Sequence, residues 1–341
     1  AASTDLIAPQ ANILFNLNTS IKQFISFCSI NFYSIVKSTL FKILFIISAL
    51  MLIVTMWGGF EYFGLQSYPV TYKMVDSIKG ITGLFVMIIM VFFSGELVWR
   101  DRGSKINEVI DATPHNSMIS LMAKAISLIC VTSILYLFFI LCGIIYQLAN
   151  GYTNIELGVY LMDFLYSSFP MYIIWSAVLV FFQVIINKKY VAYFISIIFL
   201  FLLDILMLVF EWQSNMINVG SGPSYMYSDM NGFGAAIEGN NWFNLYWVLF
   251  GIILLVISGL IWVRGVTFGF KNRLKSAKKH LTPLYALGLS TVVILWVATA
   301  SFVYYNTKVL NTYKSSDEIE KLQVKYENTY KKYQGIVQPK I

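Results

Sequence analysis

The sequence predicts an all-α, polytopic membrane protein, and three observations carry that prediction. Charged residues make up 12% of the chain and hydrophobic residues 58%, whereas a soluble domain carries about a quarter charged residues. Seven stretches stay apolar over the ~20 residues that a helix needs to cross ~30 Å of hydrocarbon. Inside them the apolarity is continuous rather than alternating, which excludes a barrel of short alternating strands and leaves helices as the spanning structure.

Residues 1–42 form an N-terminal segment. Within it, Ser20 to Leu40 sets Ile21, Phe24, Ile25, Phe27, Cys28, Phe32 and Ile35 among Lys22, Gln23, Asn31, Ser34 and Lys37. This is an amphipathic helix that either lies in the headgroup plane or extends the first span. The spans follow as Ile43 to Phe60, Ile81 to Trp99, Met118 to Tyr146, Phe164 to Ile186, Val191 to Phe210, Leu245 to Val263 and Leu284 to Tyr305. Pro69 breaks any helix in the connection from Glu61 to Gly80, and Asn150-Gly151 marks a turn in that from Gln147 to Asp163. Pro170 falls inside the fourth span, where a neighbouring helix must satisfy the carbonyl it frees. The stretch 211–244 is the longest inter-span loop, rich in Gly, Asn, Ser and aromatics, and its length calls for order against something. Asp229-Met230-Asn231-Gly232 lacks the later ligand positions of a calcium loop and reads as a turn. A basic loop, 266–283, precedes the seventh span.

Beyond residue 305 the chain becomes polar. Ser315 and Glu318 stand at capping-box spacing, Gly335 is a helix stop, and Ile319, Leu322, Tyr326, Tyr330 and Tyr333 share one face. These features predict an amphipathic stem helix of ~19 residues. The opening on Ala1 and the extended Val337-Gln338-Pro339 end predict a segment of a longer polypeptide.

Lysine and arginine distribution predicts orientation. With the N-terminus inside, the inner stretches hold fourteen of the 24 basic residues, including Arg100, Arg102, Lys105, Lys188, Lys189 and the run from Arg264 to Lys279. The outer connections between spans hold only Lys73 and Lys79. The expectation is N-terminus in and C-terminus out, with Trp57, Trp212, Trp242 and Trp247 at the outer interface and Trp99 and Trp262 at the inner one. The net charge of +7 is then an orientation signal, not a nucleic-acid footprint.

Catalytic motifs are scarce. The two histidines, His115 and His280, fall on predicted loops. The sequence contains no H-E-x-x-H, no Cys-x-x-Cys, no phosphate loop and no G-x-S-x-G elbow, so the expectation is no enzyme activity, no cofactor and no metal in this segment. Cys28, Cys130 and Cys142 read as apolar packers. The remaining candidates are charges inside the spans, each costing at least ~2.5 kcal/mol at the bilayer centre on insertion scales. Glu96 and Lys124 lie at similar depth near the inner interface and are expected either to pair or to reach the headgroups independently. Asp204 lies about 20 Å into the fifth span and is expected to face protein or a cavity.

The stretch "GELVWRDRGSKINEVIDATP", 95–114, then sets Ile106, Val109 and Ile110 on one face of a short helix, 104–112, capped by Ser104 and stopped by Pro114. Six spans, an amphipathic helix before the first, this short helix between the second and third, and an ordered loop before the sixth resemble the type-2 ABC transporter permeases. Together with "YSDMNGFG", "NWFNLYWVLF" and the segment from Tyr304 to Ile341, the chain is similar to large bacterial, Bacteroidetes-type proteins that fuse such permease halves to an extracytoplasmic zinc aminopeptidase domain. The resemblance implies a six-helix permease bundle at 43–265, a seventh span at 284–305 and an extracytoplasmic stem at 306–341, in the bacterial inner membrane. It makes 104–112 the coupling helix, with Arg100, Arg102, Lys105, Glu108 and Asp111 facing a separate cytoplasmic ATP-binding subunit. A second permease half or another copy would complete the assembly, surrounded by membrane lipids and with no nucleic acid. The family's zinc ligands have no counterpart among these residues.

Two functions follow from that resemblance. One is a transporter subunit in which ATP-driven pushes on the coupling helix tilt spans two and five. The other is a membrane anchor or mechanical transducer for an outside peptidase domain. Polar groups in the spans are few, which points to a hydrophobic or lipid-like cargo, to a mechanical role, or to no transport at all.

Overall fold

The computed structural model describes residues 16–58, 61–62, 65–112, 116–186, 188–209, 214–262, 269–311, 314 and 316–335. Among them the chain is an all-α bundle in which seven helices are long and apolar enough to cross a membrane. The described strands are a two-residue antiparallel pair, β1 (Glu61–Tyr62) and β2 (Leu65–Gln66).

Helix α1 (Leu17–Val36) is capped by Asn16, whose side chain accepts from the Thr19 amide at 2.9 Å. A break at Lys37 and Ser38 separates it from α2 (Thr39–Gly58), so α1 is a helix of its own rather than an extension of the first span. It packs against α5 (Ser117–Ala149), where Ser127 Oγ donates to the Cys28 carbonyl at 3.1 Å, and its Asn31 and Ile35 are buried.

The second span departs from its expected start. α3 runs from Thr71 to Gly103, beginning just after Pro69, so ten residues assigned to a loop are helical. Hydropathy marks only the apolar centre of such a helix. Its polar outer turns stay ordered because Thr71, Met74, Val75 and Ile78 are buried against the bundle. The short helix α4 (Asn107–Ala112) leads into α5, and α6 (Leu157–Asp163) follows it.

Between α6 and α7 (Phe169–Ile186) the chain makes a π-helical turn, Phe164–Ser168. Pro170 lacks an N–H and frees the Tyr166 carbonyl four residues back. That carbonyl accepts from Asn240 Nδ2 at 3.0 Å and Asn244 Nδ2 at 2.7 Å, both on α9 (Ala236–Ile261). The neighbour expected to satisfy the proline-freed group is thus the sixth span.

α7 is the hub. Ile174, Ala177, Leu179, Val180 and Val184 are fully buried, and it packs on α3, α5 and α9. A Cβ on Gly251 of α9 would lie 3.2 Å from the Ala177 Cβ, a close approach that small residues permit between membrane helices. α8 (Lys189–Val209) covers one flank of α3 and α7. α10 (Phe270–His280) occupies most of the expected basic loop, and α11 (Pro283–Tyr304) packs on α9 through Trp296 stacked on Tyr246 at 5.6 Å. α12 (Ser316–Tyr330) and a 3₁₀ turn, Lys331–Tyr333, form the expected C-terminal amphipathic helix, with Ile319, Leu322 and Tyr326 exposed. Its expected cap, Ser315, lies outside the described residues, as do Trp212, Phe210, Val263, Pro114 and the terminal Pro339.

Candidate functional site

Successive residues on α3 project 100° apart, so Glu96 and Asp101 diverge by about 140° and meet different neighbours. Glu96 Oε2 receives Lys189 Nζ from α8 at 3.0 Å, with both side chains 35% exposed. Asp101 Oδ2 receives Lys124 Nζ from α5 at 2.8 Å, and Lys124 also donates to the Leu97 carbonyl at 2.5 Å. The expected pairing of Glu96 with Lys124 is therefore not made, because equal depth does not mean equal azimuth. Lys124 is 1% exposed. An ammonium so buried is tolerable only with an anion and acceptors in contact, which Asp101 and Leu97 supply.

The same helix end gathers further contacts. Arg100 Nη2 donates to Asn31 Oδ1 of α1 at 3.2 Å, and its Nε reaches Asp101 Oδ1 at 3.3 Å. The Arg102 guanidinium lies 5.1 Å from the Trp99 ring centre and 5.3 Å from that of Trp262, so it sits on the two tryptophans that the sequence sets at one interface. Trp99 Nε1 donates to Gln183 Oε1 of α7 at 2.9 Å. Residues that bring together α1, α3, α5, α7, α8 and α9 thus converge within two turns of Gly103.

On this base stands the short connecting helix. Ser104 does not cap it as expected. It caps the end of α3 instead, donating from Oγ to the Arg100 carbonyl at 3.0 Å, a back-bond that its short hydroxyl makes readily. The chain then turns through Lys105, at φ 56, and α4 occupies only Asn107–Ala112. Ile106 is 50% exposed and Val109 66% exposed. Glu108 is exposed and Asp111 half-buried, within electrostatic reach of Arg102. Ile106 and Val109 therefore point away from the bundle, while Ile110 on the same face is half-buried.

A residue that the sequence offered only as one basic residue among several is Arg273, on α10. It is 3% exposed. Its Nη1 donates to the Ile185 carbonyl at 3.0 Å, Nη2 to Val184 at 2.5 Å, and Nε to Ile261 at 3.3 Å. Burial pushes its pKa down, yet an arginine stays charged. One guanidinium thereby caps the C-terminal carbonyls of both α7 and α9, where cations are favourable.

Between α3, α7 and α8 lies an apolar groove of about 1180 Å³, lined by Met87, Val91, Tyr193, Ile197 and Leu200 among others, with Lys189 at one end and 218–221 at the other. Near the Lys189 end Tyr193 lies across Gly95, and its hydroxyl donates to the Phe92 carbonyl at 2.9 Å. A Cβ at Gly95 would run into the Tyr193 ring, so any larger residue there must displace the tyrosine.

At the opposite end of the bundle, Asp163 is 3% exposed. It accepts from Lys79 of α3 at 2.9 Å, from Tyr136 of α5 at 3.3 Å and from Tyr225 of the long loop at 3.3 Å. Burial foremost, then the nearby Asp163 charge, raises the Tyr225 pKa. The loop is further tied by the Trp247 indole to the Asn215 carbonyl at 3.2 Å. Its Asp229–Gly232 segment is a turn, closed by Gly232 N on the Ser228 carbonyl at 2.7 Å.

Asp204 belongs to α8, and its side chain lies outside the described residues, as do His115 and the side chain of His280. Among the described residues no group of three or more His, Cys, Asp or Glu is placed to hold a metal. The chain is a multi-pass membrane protein by its seven apolar helices. In comparison with known proteins, no family model and no curated sequence matches it.

Proposed function

We propose that this chain is the membrane-spanning subunit of an ATP-driven transporter, with α4 as the contact for a separate ATP-binding subunit. The observation that carries the reading is the exposed Ile106 and Val109 on a short helix whose root is held by the buried Lys124–Asp101 pair. A solvated connector has no use for apolar residues turned away from the bundle, and a rigid root transmits a push to α3 and α5 instead of absorbing it. Of the expected coupling residues, Glu108 and Lys105 are exposed for a partner, whereas Arg100 and Arg102 serve the root.

The groove between α3 and α8 supports a hydrophobic or lipid-like cargo, because these are the two spans that such a push would tilt and its wall is almost wholly apolar. In this reading the basic end faces the cytoplasm of a bacterial inner membrane, in keeping with the bias of Lys and Arg. α12 then lies outside. Its exposed apolar face, with Tyr326 and Tyr330 rings 4.6 Å apart, favours the second reading, a stem carrying an outer peptidase domain.

The test is ATP hydrolysis in the protein purified from its own membrane in mild detergent. Activity should accompany the wild-type chain and be lost with Ile106→Asp and Val109→Asp combined. Equal activity in both, or none in either, contradicts the reading.

A further inference from the structure

The sequence assigns residues 266–283 to a loop, yet α10 is an 11-residue helix whose rotation is fixed. Arg273 and Ala277, one turn apart, are buried against the bundle. The adjoining stripe is apolar and exposed: Phe270 at 55%, Leu274 at 47% and, just past the helix, Leu281 at 44%. Beyond it Lys271, Lys275 and Lys278 share an exposed face. No acidic residue occurs anywhere between Glu238 and Asp317 to neutralise that face from its own stretch of chain.

Position defines what this surface meets. Arg273 holds α10 to the last carbonyls of α7 and α9, and only Leu281 and Thr282 separate it from α11, which Thr282 caps and Pro283 begins. Three membrane-length helices therefore end at the level of α10. We propose that α10 is an interfacial helix that binds anionic lipid, with Phe270, Leu274 and Leu281 set among the acyl chains and Lys271, Lys275 and Lys278 on the headgroup phosphates. A helix with a basic polar face and an apolar face of this kind lies in the headgroup plane, and juxtamembrane lysines add electrostatic attraction to anionic lipids. A soluble acidic protein would match the lysines but leave the apolar stripe at the mouth of the bilayer.

The proposal does not depend on ATP-driven transport. Its test uses the full chain in nanodiscs of phosphatidylcholine alone or with phosphatidylglycerol, and a spin label at Leu274→Cys with Cys28, Cys130 and Cys142 replaced. The label should relax faster with oxygen than with a water-soluble nickel complex, and more so with phosphatidylglycerol. Retention of phosphatidylglycerol through detergent exchange should fall about tenfold or more in the triple variant Lys271→Gln, Lys275→Gln, Lys278→Gln, and survive in the corresponding Arg variant. These lysines are exposed, so folding is not at stake. A water-accessible label in both lipid mixtures, or unchanged retention in the Gln variant, would overturn the proposal. So would a label that leaves water only when an ATP-binding protein is added.

Discussion

Lys124 of α5 and Asp101 of α3 meet at 2.8 Å, with the lysine all but sealed from solvent. The connector between the two spans thus begins and ends on one ionic unit.

Breaking that unit from one side strands a buried charge. Asp101→Asn should destabilise the protein by about 3–5 kcal/mol, and Lys124→Met combined with Asp101→Leu should recover most of the loss. Glu96→Gln, acting on a pair about a third exposed, should cost no more than about 1 kcal/mol. Thermal unfolding in detergent micelles separates the three outcomes. Equal effects of the Asp101 and Glu96 variants would contradict the assignment.

Gly95→Ala should push Tyr193 off α3 and cost about 1–3 kcal/mol by overpacking. Tyr193→Ala in the same chain removes the ring that the new methyl group strikes, so the double variant should be less destabilised than the two single losses added together. A double-mutant cycle of unfolding midpoints gives the answer, and strict additivity would mean that the two residues do not meet.

Arg273→Met should free the end carbonyls of α7 and α9 and cost about 3 kcal/mol, at about 1.5–3 kcal/mol for each hydrogen bond from a charged donor, partly regained by water. Arg273→Lys should fall between, since one ammonium cannot span both helix ends. Hydrogen exchange at 184–186 and 261–262 should rise from wild type to Arg273→Lys and again to Arg273→Met.

Hydropathy decides which of these features the chain shows on its own. It reads depth along one axis, so it places Glu96, Asp101, Lys124 and Lys189 near one interface but is blind to azimuth, and only packing shows that Glu96 meets Lys189 and Lys124 meets Asp101. The same blindness hides Gly95, whose role depends on a tyrosine 98 residues away. Arg273 was hidden for a different reason. A basic run reads as solvated charge, and only packing reveals which of its members turns inward. Pro170, by contrast, states its own requirement, and Asn240 and Asn244 are the answer.

At the far end, Tyr225→Phe removes one hydrogen bond to Asp163 and should raise opening of the long loop about fivefold, the equivalent of about 1 kcal/mol. Asp163→Asn, which also removes the ion pair with Lys79, should open it further. Limited proteolysis within 214–235 reports both, and an unchanged cleavage rate in Asp163→Asn would show that the cluster does not hold the loop.

The contact proposed between α4 and an ATP-binding partner is open to direct capture. A photo-crosslinking amino acid in place of Val109, activated in the protein's own native membranes, tests it most directly. The expected result is a single dominant adduct with an ATP-binding subunit, with a yield that changes when ATP is depleted. Adducts confined to lipid or to this chain itself would contradict it.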